Sequence, residues 1–283
     1  MYLFSYFKTN DEAMYLAFSE DGYAWSKMNE GRAALRSKVG TKRLRDPFLL
    51  QDSGGVFHAL WTDGWESSSI GYARSVDLLH WDNQKLLPVM ASVAGTLNCW
   101  APEAFRDADS GTYRIIWSST ISGEAGDTRR NHRIWSASTT DFSELSAPAL
   151  YFDPGHTIID ATIAELQEQY VMLFKDERGS NEPGTDNKAI RSLVWDKRLG
   201  SVPPVAVEPS ELLTPPLTEG PSLYRTASEW ILLYDGFSEG TYRGMSSDDL
   251  VHWRSASYRL KLPDGCRHGS VMKADAMAIA LPR

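Results

Sequence analysis

Cysteine is nearly absent: 283 residues contain two, Cys99 and Cys266. Two cysteines do not make a disulfide framework for a chain of this length, and two isolated thiols make a poor metal site, so both are expected as buried free thiols. Basic residues are outnumbered, 29 against 37 acidic ones, giving a net charge of −8. A phosphate backbone calls for a basic surface, so this balance argues against nucleic acid and leaves neutral polysaccharides as partners. No apolar run approaches the roughly eighteen residues of a membrane span. The first ten residues, MYLFSYFKTN, lack the basic start of a signal peptide and read as a strand. The expected location is therefore the cytoplasm, or the periplasm or exterior if a leader has been removed. Long amphipathic helical patterns are missing too.

What the chain has instead is repetition. Hydrophobic residues make up 42%, enough for a sizeable core, and the repeat runs from end to end, which predicts one domain over residues 1–283. One phrase is an alternating strand, then Ser-x-Asp, then Trp four residues after the Asp. It occurs as Ser19, Asp21, Trp25, as Ser75, Asp77, Trp81 and as Ser247, Asp249, Trp253; a weaker copy has Thr139, Asp141 and Leu145. Short polar side chains that bond their own backbone reverse a chain, so these are structural corners. A fifth copy, AIRSLVWDKRLG, keeps only the strand.

Before each corner lie two more apolar runs. The second strands are FHALWTD, YRIIWSS, YVMLFKD and WILLYDG, with YLFSYFK at the N-terminus. Upstream of four of them stand shorter segments headed by Asp46, Trp100, Asp160 and Glu219, and a fifth is headed by His268. Fourth strands are expected in KLLPVM from Lys85, APALYF from Ala147, PVAV from Pro204 and SYRLKL from Ser257. Four strands per unit at a period near fifty-five residues predict a five-bladed, all-β propeller. The N-terminus starts at a second strand and the C-terminus ends with an inner one, so the two should share a blade and close the ring. AMAIALPR competes with YLFSYFK for the place beside that inner strand.

Inner strands of a propeller run beside its axis, so their heads should meet in one funnel. Three carboxylates and a histidine gathered there would shift one another's pKa, which suits acid and base work on a glycosidic bond. Pro47, Pro102 and Pro221 fix the chain as it enters three of these strands. Most of the ten tryptophans and twelve tyrosines should be core. A minority would stack on sugar rings: Trp100 first, with Trp61, Trp65 and Phe237 along the rim. The Gly- and charge-rich segment 122–132 reads as a long loop whose His132 caps the pocket.

Asp-Pro, Trp-Ala-Pro-Glu, Ile-Asp-Ala, Glu-Gly-Pro and His-Gly-Ser, in this order at these heads, resemble glycoside hydrolase family 43 along nearly the whole chain. The resemblance implies an inverting exo-glycosidase that removes a terminal pentose, α-L-arabinofuranose or β-D-xylose, from an oligo- or polysaccharide. It places the general base on Asp46, the carboxylate that tunes the acid on Asp160 and the general acid on Glu219. It brings Arg191 to a sugar hydroxyl or to Asp160. His268 goes beneath the sugar, either satisfied without a metal or bonded to the water shell of a central cation; no cofactor is required, and calcium is the structural ion the channel could take. Inversion requires carboxyls about 6.5–9.5 Å apart. The competing readings are a galactosidase or galactanase of the same fold, a retaining fructan hydrolase sharing the Arg45-Asp46-Pro47 motif, and a non-catalytic sugar-binding propeller.

Overall fold

A computed structural model describes residues 1–107, 110–123 and 130–274. They form five antiparallel sheets whose inner strands contact one another around a common axis, a five-bladed β-propeller. In chain order, the closing blade begins with β1 (Tyr2–Lys8), β2 (Asp11–Ser19) and β3 (Ser26–Lys27). The Asp46 blade holds β4 (Arg45–Gln51), β5 (Phe57–Thr62), β6 (Ile70–Ser75) and β7 (Asp82–Leu87). The Trp100 blade holds β8 (Trp100–Arg106), β9 (Tyr113–Ser119), β10 (Arg133–Thr139) and β11 (Ala149–Phe152). The Asp160 blade holds β12 (Ile158–Glu165), β13 (Gln169–Asp176) and β14 (Ala189–Asp196). The Glu219 blade holds β15 (Glu219–Arg225), β16 (Trp230–Gly236), β17 (Thr241–Ser247) and β18 (Arg254–Ser255). Finally β19 (Arg267–Lys273) returns to pair with β1.

That pairing, from Tyr2 opposite Lys273 to Phe7 opposite Arg267, settles the closing blade in favour of YLFSYFK. AMAIALPR lies outside the described residues. Closure covers the edge of β1 that would otherwise be free to pair with another chain. Ser5 Oγ donates to Pro47 O at 2.9 Å and so ties the closing blade to the Asp46 blade.

The Ser-x-Asp corners behave as their chemistry dictates. Ser75 Oγ donates to Asp77, whose carboxylate accepts from the N–H groups of Leu79 and His80. Ser247 and Asp249 repeat this with Val251 and His252. The residue after the Asp turns left-handed in each copy, with φ of 84° at Gly22, 64° at Leu78, 62° at Phe142 and 65° at Leu250.

Outer strands depart more from expectation. In the Asp160 blade PVAV is not a strand. The place beside β14 is taken by residues 210–214, whose Ser210 and Leu213 N–H groups donate to Ser192 O and Ile190 O. In the Glu219 blade only Arg254–Ser255 pairs, and Ser257–Arg259 within SYRLKL is a 3₁₀ turn. Outer strands face solvent and carry little apolar patterning, so periodicity marks them weakly. Between blades aromatic side chains fill the core. Trp61, Trp117, Phe4, Phe57 and Phe174 are each under 2% exposed, and burying such a side chain contributes roughly 1.5–3 kcal/mol.

Candidate active site

Every inner strand carries a β-bulge at its head. On β4 the register moves from Arg45 opposite Thr62 to Phe48 opposite Leu60, so two residues, Asp46 and Pro47, face one. The same shift follows Trp100 on β8, Ile159 on β12 and Glu219 on β15. On β19 the extra residue is His268, between Arg267 opposite Phe7 and Gly269 opposite Tyr6. The first bulged residue is left-handed in four strands: φ is 48° at Asp46, 46° at Ala101, 57° at Asp160 and 58° at Gly220. A bulge bends a strand and re-aims its side chains, which here turns the heads toward the axis.

Aligned by these bulges, the heads form two successive rings rather than one. Arg45, Trp100, Ile159, Glu219 and Arg267 share the first position; Asp46, Ala101, Asp160, Gly220 and His268 share the second. Glu219 therefore stands one register earlier than Asp46 and Asp160, whereas the repeat alone had put all three at one position. The prolines carry the signal that reveals this. Pro47, Pro102 and Pro221 occupy the same place in the bulge, one residue after Asp46 but two after Trp100 and Glu219.

Together the rings wall a pocket with about 440 Å³ of open space. Asp46, Asp160, Glu219, His268, Trp100 and Arg45 all line it, with Trp65 and Thr62. His268 Nδ1 lies 3.5 Å from Asp46 Oδ1 and 3.8 Å from Asp160 Oδ2. The Gly220 N–H donates to Asp160 Oδ2 at 3.1 Å, joining Asp160 to the residue after Glu219. Gly220 has no alternative here: a Cβ would sit 2.6 Å from His268 Cγ.

The last residues of the second strands support these heads across blade boundaries. Thr62 Oγ1 donates to Asp46 Oδ2 at 2.7 Å and accepts from the Ala101 N–H of the next blade at 2.8 Å. Ser118 accepts from the Asp160 N–H at 3.1 Å. Lys175 Nζ donates to Glu219 Oε2 at 2.8 Å and also pairs with Glu177 at 2.5 Å. Asp235 Oδ2 holds Arg267 at 2.6 Å. These four were not singled out from the sequence, although they end the phrases FHALWTD, YRIIWSS, YVMLFKD and WILLYDG or stand next to the end.

Burial dominates the electrostatics. It pushes Asp160 up; His268 opposes the shift and Glu219 adds to it. Burial would lower His268, but Asp160, Asp46, Glu219 and Glu103 outweigh it and raise the imidazole. Burial also opposes the charge on Lys175, and Glu219 and Glu177 more than restore it.

Glu103 was missed by sequence reasoning. It lies two residues past Ala101, in a third ring with Phe48, Thr162, Ser222 and Ser270, and borders a small void below the pocket with Asp46, Asp160 and His268. Burial pushes its carboxyl up to about 8, against a hydrogen bond with Thr162. The signal was the acid in Trp-Ala-Pro-Glu directly after the aligned proline. Among the described residues no group of three or more acidic, histidine or cysteine side chains is arranged to hold a metal ion.

Other expected site residues divide. Trp100 walls the pocket, its Nε1 donating to Trp65 O at 3.1 Å, and Trp65 stands edge-on to it with the rings 5.4 Å apart. His132 does not cap the pocket. It is 1% exposed and packs behind Trp100 at 4.7 Å, where burial lowers it to about 4. Residues 124–129 of its loop lie outside the described residues. Phe237 is half-buried and reaches the site through Lys175 Nζ, 4.5 Å above its ring. Trp61 is not at the rim. It neighbours Thr62, which faces the site, so strand alternation turns it the other way, onto Gly71 in the core. Arg191 does not meet Asp160. It sits on a third strand, farther from the axis, and is consumed by Asp176 Oδ2 at 2.9 Å and Ser210 O at 2.8 Å beside a separate outer groove. Cys99 and Cys266 are buried free thiols. No helix among the described residues is long and apolar enough to cross a membrane.

Comparison with known proteins places this geometry. A family described as "Probable glycosyl hydrolase domain" matches residues 1–277. An α-L-arabinofuranosidase of Bifidobacterium longum subsp. longum is 26% identical over 245 residues, covering 75% of this chain and 21% of the relative. The chain thus spans about a fifth of the length of that curated relative. Among solved structures, a thermostable family-43 glycoside hydrolase superposes with a TM-score of 0.61 at 16% identity, over 75% of this chain and 71% of the other. An α-L-arabinofuranosidase from Lactobacillus brevis gives 0.56 at 15%, over 76% and 72%. An exo-β-1,3-galactanase from Phanerochaete chrysosporium gives 0.55 at 14%, over 84% and 53%. These structural likenesses speak for the fold; the match over residues 1–277, with the propeller and its ringed carboxylates, makes the chain a member of glycoside hydrolase family 43.

Proposed function

We propose that this chain is an inverting exo-glycosidase that removes a terminal pentose, α-L-arabinofuranose ahead of β-D-xylose, from an oligo- or polysaccharide. The observation that carries the reading is the convergence of Asp46, Asp160 and Glu219 on one aromatic-walled pocket. In the proposed reaction Glu219 gives its proton to the leaving glycosidic oxygen as the anomeric C–O bond breaks. Water attacks that carbon from the opposite face and loses a proton to Asp46, which Thr62 holds in place. Solvent returns the proton from Asp46 to Glu219 after product leaves. Asp160 anchors the backbone beside the acid through Gly220. Arabinose leads because the curated relative and one structural neighbour are arabinofuranosidases. The galactanase neighbour makes a terminal galactose the second reading.

A panel of aryl α-L-arabinofuranosides, β-D-xylosides and β-D-galactosides, with the first-formed anomer read by NMR, tests sugar and stereochemistry together. Asp46→Asn and Glu219→Gln should each lower kcat/KM on the preferred substrate by about 10²–10⁴-fold with the fold unchanged by circular dichroism. Near-normal turnover by both variants would overturn the roles, and a retained anomer would overturn inversion.

A further inference from the structure

The pocket wall contains a group that the proposed chemistry leaves unused. Arg45 stands at the register position that Trp100 and Glu219 occupy in their own blades, and it lines the same pocket. Its guanidinium packs against two rings: Cζ lies 4.6 Å from the Phe7 ring centroid and 4.7 Å from that of Trp65. One edge is held by Glu12, which accepts from Nη1 at 3.0 Å. Nε and Nη2 have no hydrogen-bond partner among the described residues. A planar fork packed against two rings, with donors open to a pocket, is pre-organised for a carboxylate, which it can take through parallel hydrogen bonds.

Its surroundings share the sign. Arg130 lies over Trp100 at 4.5 Å and within 6.0 Å of the Trp65 ring, and Arg43 shares Glu12 at 3.5 Å. Two guanidinium groups, Arg45 and Arg130, thus face Trp65, and a third, Arg43, sits on the Glu12 that holds Arg45, on a chain of net charge −8 whose pocket interior holds three carboxylates. Glu66, next along the chain from Trp65, pairs with none of them. Neutral hydroxyls would need no such concentration of positive charge, whereas an anionic glycan would be repelled by the interior unless the rim compensated.

We propose that the substrate carries a uronic acid residue next to the sugar that is removed, and that Arg45 binds its carboxylate. This rests on the glycosidase reading above. The test uses the whole chain and a matched pair of oligosaccharides, one bearing the uronate and one carboxyl-reduced to the neutral sugar. Turnover is measured on the wild type, and binding by calorimetry on Glu219→Gln. Carboxyl reduction should lower wild-type kcat/KM and Glu219→Gln affinity about ten- to a hundredfold, a preference that 0.5 M salt weakens. In Arg45→Gln the ratio between the two substrates should fall toward one. Equal handling of the pair by the wild type overturns the proposal without recourse to any variant, as does an unchanged ratio in Arg45→Gln. If neither glycan is hydrolysed but the uronate still binds preferentially, the glycosidase reading fails and the recognition of a carboxylate stands.

Discussion

Glu103 offers a direct measurement of how far the channel beneath the site suppresses charge. Its carboxyl is buried and pushed from 4.5 to about 8, so it is neutral in the folded protein at pH 7 and ionised in the unfolded chain. The raised value means that the unfolded state binds fewer protons between those limits, so stability falls as pH rises through the window. From pH 5 to pH 7 this one group removes about 2–3 kcal/mol, taking 1.36 kcal/mol per unit and allowing for partial ionisation of the unfolded chain at pH 5. Glu103→Gln keeps the shape and a hydrogen-bonding amide but cannot ionise. Urea unfolding of both proteins at pH 5, 6 and 7 isolates the term, because Asp160 and His268, also raised, contribute to both curves with the same sign. The variant should gain on the wild type by about 2–3 kcal/mol between pH 5 and pH 7, the contribution it deletes. A difference that stays flat across those three pH values would show that Glu103 titrates normally, and the picture of a neutral acid in the channel would be wrong.

Two glycine substitutions probe the geometry from other sides. Gly220→Ala places a Cβ 2.6 Å from His268 Cγ at a φ of 58°; it should cost about 1–3 kcal/mol and at least tenfold in kcat, because the imidazole must leave its place between Asp46 and Asp160. Unchanged kcat would show that the position of His268 does not matter for turnover. Gly269→Ala meets the Ser5 carbonyl oxygen at 1.9 Å, backbone against backbone, where β19 joins β1. Its loss of melting temperature should exceed that of Gly220→Ala, and a wild-type melting curve would refute the closure it is meant to break.

Much of this was legible in the chain because strands announce themselves by alternation and turns by chemistry. The five inner strands, the five second strands and the ring-closing ends are where the apolar runs and the Ser-x-Asp corners put them. Outer strands were less legible, since β18 is two residues long and residues 210–214 bond to β14 without regular pairing. Within the site, residue type was easier to read than direction. Asp46 and Asp160 could be picked as heads, but a bulge displaces the phase by one residue, and that put Glu219 in a different ring. Trp61 failed on parity and Arg191 on distance from the axis. An aromatic or an arginine on the correct strand faces the site only if its parity and its distance from the axis allow it.

The cross-blade supports suggest why the site and the ring are one construction. Clustered carboxylates repel one another and lose hydration, so each needs a fixed donor or a counter-charge. In this propeller a hydrogen-bond partner comes from the preceding blade: Thr62 and Ser118 accept from the Ala101 and Asp160 N–H groups, Lys175 donates to Glu219 and Asp235 accepts from Arg267. The closing blade obeys the same rule, because Phe7, the residue opposite Arg267, packs on Arg45 of the blade that follows. No blade can complete its own share of the pocket. Asp160 and Glu219 therefore acquire partners only when neighbouring blades dock, and the pairing of β19 with β1 sets His268 beside Asp46 and Asp160. Closure of the ring therefore also completes the pocket, by bringing His268 into its wall.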